Sequence, residues 1–249
     1  MNIEDLKKKI TKNTSAIIIV HLFGKAAKIK EISKLAKKRG IKIIEDCAQS
    51  TGTTIKKKHV GTFGEIGTVS FYPTKNLGAF GDGGCILTNS DKLNNICRRI
   101  KNHGGLVRHD HELIGRNSRL DNFQAVAILQ KFKYLDLHIK KKNLLAKIYL
   151  KNLFFQKNNI LLPNIKKGEV HSFHQFVIYC KYRNKLKKYL KKKGVETLIH
   201  YPTMLSDLKI FDKNKSSKSI KIAKNLGDKI LSLPISHEHA IGEIRFVCS

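Results

Sequence analysis

Ala16-Ile17-Ile18-Ile19-Val20 and, after an intervening amphipathic stretch, Ile41-Lys42-Ile43-Ile44-Glu45-Asp46 decide the fold class. The first is a continuous apolar run of strand length, the pattern of a strand buried on both faces. The second is a strand that ends in acid. Between them Ala27 to Lys38 reads as a helix, and Gly40 follows it where a left-handed stop costs little. Strand, helix, strand in this order implies a right-handed parallel crossover. It also sets Asp46 at the carboxyl end of its strand, where open α/β sheets bind ligands.

Outward from this core, residues 4–12 read as a short helix. Residues 66–72 and 84–88 read as two more strands, flanking the Gly-rich loop Gly78 to Gly84. From Asp121 to about Leu153 the apolar residues Ala125, Ile128, Leu129 and Phe132 recur at helical spacing and predict one long helix linking two domains. Leu161-Leu162-Pro163 and the polar stretch to Gly168 mark the boundary, so domains over 1–160 and 161–249 are expected. Beyond it, strands at Phe173–Cys180 and Val195–His200 and helices at Asn184–Lys193 and Ile220–Ile230 describe a small α+β unit.

A chain of 249 residues with 41% hydrophobic content can bury one large core or two modest ones. Its formal charge is +30, from 49 Lys and Arg against 19 Asp and Glu, and eight of the 49 are Arg. Arg is the residue favoured for bidentate phosphate or base recognition. The lysines stand instead in runs such as Lys7-Lys8-Lys9, Lys56-Lys57-Lys58 and Lys140-Lys141-Lys142, which read as solvated surface with no specific nucleic-acid partner. A positive field still speeds the encounter with anionic substrates. The five cysteines, 47, 85, 97, 180 and 248, have no CxxC pairing and no metal-ligand spacing, so reduced thiols in a cytoplasmic protein and no metal are expected. No apolar run is long enough for a membrane span, and no membrane partner is expected.

The string Ser70-Phe71-Tyr72-Pro73-Thr74-Lys75-Asn76-Leu77-Gly78-Ala79-Phe80-Gly81-Asp82-Gly83-Gly84 resembles the cofactor-lysine signature of the DegT/DnrJ/EryC1/StrS family of pyridoxal-phosphate (PLP) sugar aminotransferases. Its neighbours agree in order and spacing: Val20 to Gly24, Glu45 to Gly52, Gly115 to Asp121 followed by Gln124-Ala125, His200-Tyr201-Pro202, and Leu231 to Pro234. The likeness covers nearly the whole chain. It implies an α/β fold of the PLP-transferase type I class, aspartate aminotransferase-like. The chain would hold a partial large domain with a mainly parallel sheet, followed by a small α+β C-terminal domain.

The resemblance assigns roles residue by residue, each beside a plainer alternative. Lys75 is the lysine that would condense with the cofactor aldehyde; alone it would be one more surface charge. Asp46 would face the pyridine nitrogen, and otherwise reads as a cap for the following turn. Gln49 would lie near the ring hydroxyl, and otherwise is a surface amide. Ser70 would bind the phosphate, and otherwise is an ordinary strand residue. Asn117 would reach the phosphate of a partner subunit, making a homodimer with composite active sites, and otherwise forms a turn. His103, His200 and Tyr201 read as structural.

The activity implied is transfer of an amino group from a donor such as glutamate to a keto-sugar nucleotide, for polysaccharide or glycoconjugate synthesis. The form of the lysine string resembles members that act on dTDP-linked 3-keto-6-deoxyhexoses. Family members usually carry a further N-terminal segment with a phosphate turn and a ring-stacking aromatic, which is not found in this sequence. The chain is therefore expected to be N-terminally truncated relative to the family. The alternative is a non-catalytic remnant, or a regulatory or interaction protein, that keeps the later half of the fold.

Overall fold

A computed structural model describes residues 1–154, 159–211 and 220–249. They form two compact units, residues 1–139 with 165–174, and 140–164 with 175–249. The division falls inside a helix, whereas the sequence suggests a single cut after residue 160. The segment 165–174 belongs with the first unit for a physical reason. Strand β8 (Glu169–Val170) pairs with β3 (Thr54–Ile55), and Ser172 N–H donates to Gly24 O at 3.0 Å.

In the first unit, helix α1 (Ile3–Lys9) starts at Asn2, whose Oδ1 accepts from the backbone N–H groups of Glu4 and Asp5. Strand β1 (Ala16–Val20), helix α2 (Ile29–Lys38) and strand β2 (Lys42–Asp46) build the expected crossover, and β1 and β2 pair in parallel with Val20 opposite Asp46. Gly40 turns the chain out of α2 at φ +67°, in space open enough that its backbone conformation alone explains it. Strand β5 (Ile66–Ser70) adds in parallel to β2, and β6 (Gly84–Leu87) adds antiparallel to β5, giving the order β1-β2-β5-β6. The sheet is thus mostly parallel. A short β4 (Lys58–His59) completes a small sheet with β3 and β8.

One face of the main sheet is closed by Ile17, Ile19 and Ile43 packing on Ile29, Ile32 and Ala36 of α2. These helix positions lie three and four apart, the stripe an amphipathic helix turns inward. The other face differs from the sequence expectation. Side chains of a strand alternate between faces, and the outward row stays uncovered, with Ile18 61% and Ile86 52% exposed. Continuous apolarity in β1 therefore does not mark burial on both sides among the described residues.

A buried network fastens this sheet to the loop after it. Glu45, with no exposed surface, accepts from the N–H groups of Gly61 (2.8 Å), Phe63 (2.7 Å) and Gly64 (2.7 Å), and from His21 Nε2 (2.9 Å). His21 Nδ1 accepts from Ala27 N–H at 3.0 Å, which places the ring proton on Nε2. Burial opposes ionisation of Glu45, yet the four donors outweigh it and hold the carboxyl below its ordinary value.

Downstream, helix α3 (Asp91–Lys101) is capped by Ser90, whose Oγ accepts from Leu93 N–H. The single long helix expected from Asp121 is two: α4 (Asn122–Phe132) and α5 (Leu135–Asn152), broken at Lys133-Tyr134. The apolar residues of α4 are only partly used for packing. Ala127 and Ile128 are buried, while Phe123, Val126, Leu129 and Phe132 are exposed.

In the second unit, β7 (Ile160–Leu161), β9 (Phe176–Cys180) and β10 (Ile230–Leu233) make an antiparallel sheet in the order β10-β9-β7. Helices α6 (Arg183–Lys192), α7 (Lys221–Gly227) and α8 (Ile241–Cys248) complete the α+β unit. Tyr149 of α5 is buried against Phe176, ring centroids 4.5 Å apart, and donates its hydroxyl to Pro234 O at 2.8 Å. The strand expected at Val195–His200 reduces to one bridge, Leu198 to Ser232, because only that residue meets β10. The last of the three lysines at 140–142 is not on a solvated face. Lys142 is 8% exposed, and burial lowers its ammonium to about 8.

Replacing Glu45 by Gln leaves four donors, three backbone N–H groups and His21 Nε2–H, facing a single amide oxygen. A loss of roughly 3 kcal/mol is expected from the scale of broken buried charge networks. The folded value of Glu45 lies below the unfolded one, so its contribution is complete above the unfolded carboxylate range and disappears as pH falls through the folded value. Urea titrations at a series of acidic pH values should show E45Q lacking that part of the pH slope; parallel slopes for the two proteins would contradict this role.

Candidate active site

The same alternation that buries Glu45 turns its neighbour the other way. Ile43 and Glu45 are buried, whereas Lys42, Ile44 and Asp46 stand on the opposite, more open face of β2. The register sets Asp46 beside Thr68 of β5, so Thr68 and, two residues on, Ser70 share the face of Asp46. Asp46 and Ser70 are thereby fixed at the carboxyl ends of adjacent parallel strands. Asp46 Oδ1 also accepts from Ala48 N–H at 2.9 Å, so the capping role and an outward-facing carboxylate coexist.

Gln49 lies in the turn that follows β2. Its Oε1 accepts from Phe23 N–H at 2.8 Å, and Phe23 itself is held at φ +61°. A β-carbon-bearing residue in that region costs energy of its own, which such a bond offsets. Ser70 Oγ accepts from Tyr72 N–H at 3.2 Å.

Beyond β5 the chain turns, with Lys75 N–H donating to Tyr72 O at 2.9 Å. The Lys75 side chain is half-buried. Burial pushes its amine below the ordinary lysine value, and the nearby Asp46 carboxylate opposes that shift. The structure therefore brings Asp46, Gln49, Ser70 and Lys75 to one end of the sheet. Asn117 stands elsewhere, exposed in the loop after α3, its backbone bridged to Asn102 and its Oδ1 accepting from Arg119 Nε at 3.0 Å.

Residues that hold the lysine loop carry little signal in the sequence. Lys131 Nζ on α4 donates to Gly78 O at 2.8 Å and lies 5.1 Å from the centre of the Phe80 ring. Gln124 Oε1 accepts from Phe80 N–H (2.8 Å) and Gly81 N–H (3.2 Å). Gly78 is required because a β-carbon there would fall on the Pro73 carbonyl. Asn76 Nδ2 donates to Ser172 O at 3.0 Å. Gln124 lies within one of the quoted motifs; for Lys131, one lysine among many, no pattern could have singled it out.

His200 Nδ1 is 2.9 Å from Ser232 Oγ within the second unit, and His103 adopts φ +59° in the loop after α3. His21, Glu45 and Cys47 place potential metal-binding atoms within 4.8 Å of one another. Both His21 nitrogens are already bonded, Glu45 is saturated, and burial pushes the Cys47 thiol up to about 12, so this cluster is a polar core.

The DegT/DnrJ/EryC1/StrS aminotransferase family profile matches residues 1–249. The chain belongs to this family. Among its DegT/DnrJ/EryC1/StrS relatives is a UDP-N-acetyl-3-dehydro-alpha-D-glucosamine 3-aminotransferase of Acidithiobacillus ferrooxidans, 38% identical over 238 residues. The match spans 96% of this chain and 64% of that protein. The structure of S. venezuelae DesV in complex with a ketimine intermediate is 31% identical with a TM-score of 0.94, over all of this chain and 67% of that one. NtdA of Bacillus subtilis, solved with bound cofactor PMP, is 29% identical with a TM-score of 0.92, over 100% and 58%. The fold is that of these aminotransferases, and the chain spans about two thirds of the length of the curated relatives it matches, 64% of the Acidithiobacillus protein. Among the described residues no helix is long and apolar enough to cross a membrane.

The amine of Lys75 should titrate below the surface lysines. Asp46→Asn removes the charge that opposes the shift and should move the Lys75 midpoint further down. Acetylation rates followed by peptide mapping across pH report both midpoints. A Lys75 that titrates with the surface lysines, or an upward move in D46N, would contradict the burial described.

Proposed function

We propose that this chain carries the cofactor and acid–base centre of a PLP-dependent transamination, in which an amino group passes from a donor such as glutamate to a keto-sugar nucleotide. The observation that carries it is the half-buried Lys75 in the turn just past the carboxyl end of β5, its amine lowered by burial and subject to the charge of Asp46. The donor set suits pyridoxal phosphate. It offers an amine held away from full hydration, a carboxylate whose charge acts on that amine, and a hydroxyl on the neighbouring strand end.

In this proposal Lys75 binds the aldehyde carbon of the cofactor, Asp46 pairs with the protonated ring nitrogen, Gln49 lies near the ring hydroxyl and Ser70 takes the phosphate. When bound, PLP supplies an electron sink for charge that develops at the amino carbon. Lys75 Nζ, once free, takes the proton from the α-carbon of the donor and later returns one, acting as general base and then acid. A lowered amine value favours that work, because a lysine near its ordinary value holds its proton too tightly at neutral pH. The exposed Asn117 is available to a second copy of the chain, which supports a homodimer with composite sites.

Relatives acting on UDP- and dTDP-linked sugars support a nucleotide sugar as acceptor. The finer reading, a dTDP-linked 3-keto-6-deoxyhexose, rests on the form of the lysine string. The positive charge of the chain favours the approach of either anionic nucleotide.

The test is direct. The folded chain incubated with PLP should develop a visible absorbance above that of free cofactor, and Lys75→Ala should abolish it. D46N should retain the covalent link while losing at least tenfold in amino transfer from glutamate, since the ring nitrogen loses its partner. No visible band from a soluble, folded sample would remove cofactor binding by this chain.

A further inference from the structure

The segment carrying Lys75 has left the sheet that carries Asp46, so its position depends on other bonds. A lysine stem has many rotamers, and Lys75 sits in a turn, outside any strand or helix. The adjoining side chain supplies an anchor. Asn76 Nδ2 donates to Ser172 O at 3.0 Å and, more weakly, lies 3.4 Å from Thr51 O. Both acceptors are buried parts of a bonded unit. Thr53 Oγ1 is 2.7 Å from Gly24 O and 2.9 Å from Ser172 Oγ. The turn from Cys47 to Thr53 is closed by Ser50 N–H to Cys47 O and Thr53 N–H to Ser50 O, both at 2.9 Å. That turn grows from the end of β2, one residue after Asp46. Cys47 N–H in turn bonds Thr68 O at 2.8 Å, which ties it to β5.

We propose that Asn76 is a positioning residue, which through the Ser172 and Thr51 carbonyls fixes Lys75 relative to the Asp46 carboxylate. The role suits asparagine because a side-chain amide has two N–H donors and no charge, and can serve two carbonyls from one short stem. Lys131 and Gln124 hold the same loop further on, at Gly78 to Gly81, and act on its path more than on residue 75. The inference rests on the proposed function of Lys75, and its test separates the two.

The full chain is incubated with pyridoxal phosphate, reduced with borohydride, and its labelled lysines are mapped by peptide mass. In the unaltered chain Lys75 is labelled ahead of the surface lysines. Asn76→Leu, similar in size and without donors, should slow labelling at Lys75 about tenfold or more, on the scale by which small misplacements slow reactions. Surface lysines serve as the internal control and keep their rates. Asn76→Ala gives the same comparison should leucine prevent folding, which the melting temperature reports.

A second readout needs no cofactor. The downward move of the Lys75 acetylation midpoint caused by D46N should shrink or vanish in the N76L background, as expected for coupled neighbours. A purely structural Asn76 would lower the melting temperature and leave that coupling intact. Equal labelling of Lys75 in N76L and unaltered chains, or an equal D46N effect in both backgrounds, overturns the role of Asn76 alone. Absence of preferential Lys75 labelling in the unaltered chain overturns the cofactor assignment and this inference with it.

Discussion

A carboxylate sealed from water organises the first unit. Glu45 cannot stay ionised inside a protein unless donors replace its hydration, because an unpaired buried charge costs several kcal/mol. Its four donors come from two places in the sequence: His21 just after β1, and Gly61, Phe63 and Gly64 of one loop. Satisfying one side chain therefore fixes where β1 ends, how the 61–64 loop closes, and the height at which β2 stops.

Everything at the candidate site is referenced to that stop. Because strand side chains alternate, a committed inward Glu45 forces an outward Asp46, and the register carries the same face to Ser70 on β5. The lysine cannot be placed by a strand, since its segment has left the sheet. It is placed by a loop bound at both ends, through Asn76 to the turns beneath and through Gly78 to Gly81 to helix α4. A rigid sheet thus sets the carboxylate and hydroxyl, and a strapped loop sets the amine.

How much of this was legible follows from the range of each interaction. The β1-α2-β2 crossover could be read from local periodicity, and the family from the glycine-rich string around Lys75 with its neighbouring motifs. The break at Lys133-Tyr134 could not, because apolar residues at helical spacing run on through both helices. The uncovered face of the sheet was equally invisible, since Ile18 and Ile19 look alike in sequence and differ only in what packs over them. The bonds of Asn76 and Lys131 have no sequence signature because their acceptors, Ser172 O and Gly78 O, are backbone atoms that any residue type presents. The attachment of segment 165–174 to Gly24 and β3 is silent in the sequence for the same reason, being made of backbone bonds.

Lys142 has a consequence for how the charge of the protein should be counted. A formal sum of +30 treats every lysine as a permanent cation. This one holds its proton only to about pH 8, against 10.5 for a free side chain, so between those values the unfolded chain carries a proton that the folded chain has released. Folding in mildly alkaline solution is then coupled to buffer ionisation, and over that interval the native state gains ground as acidity falls.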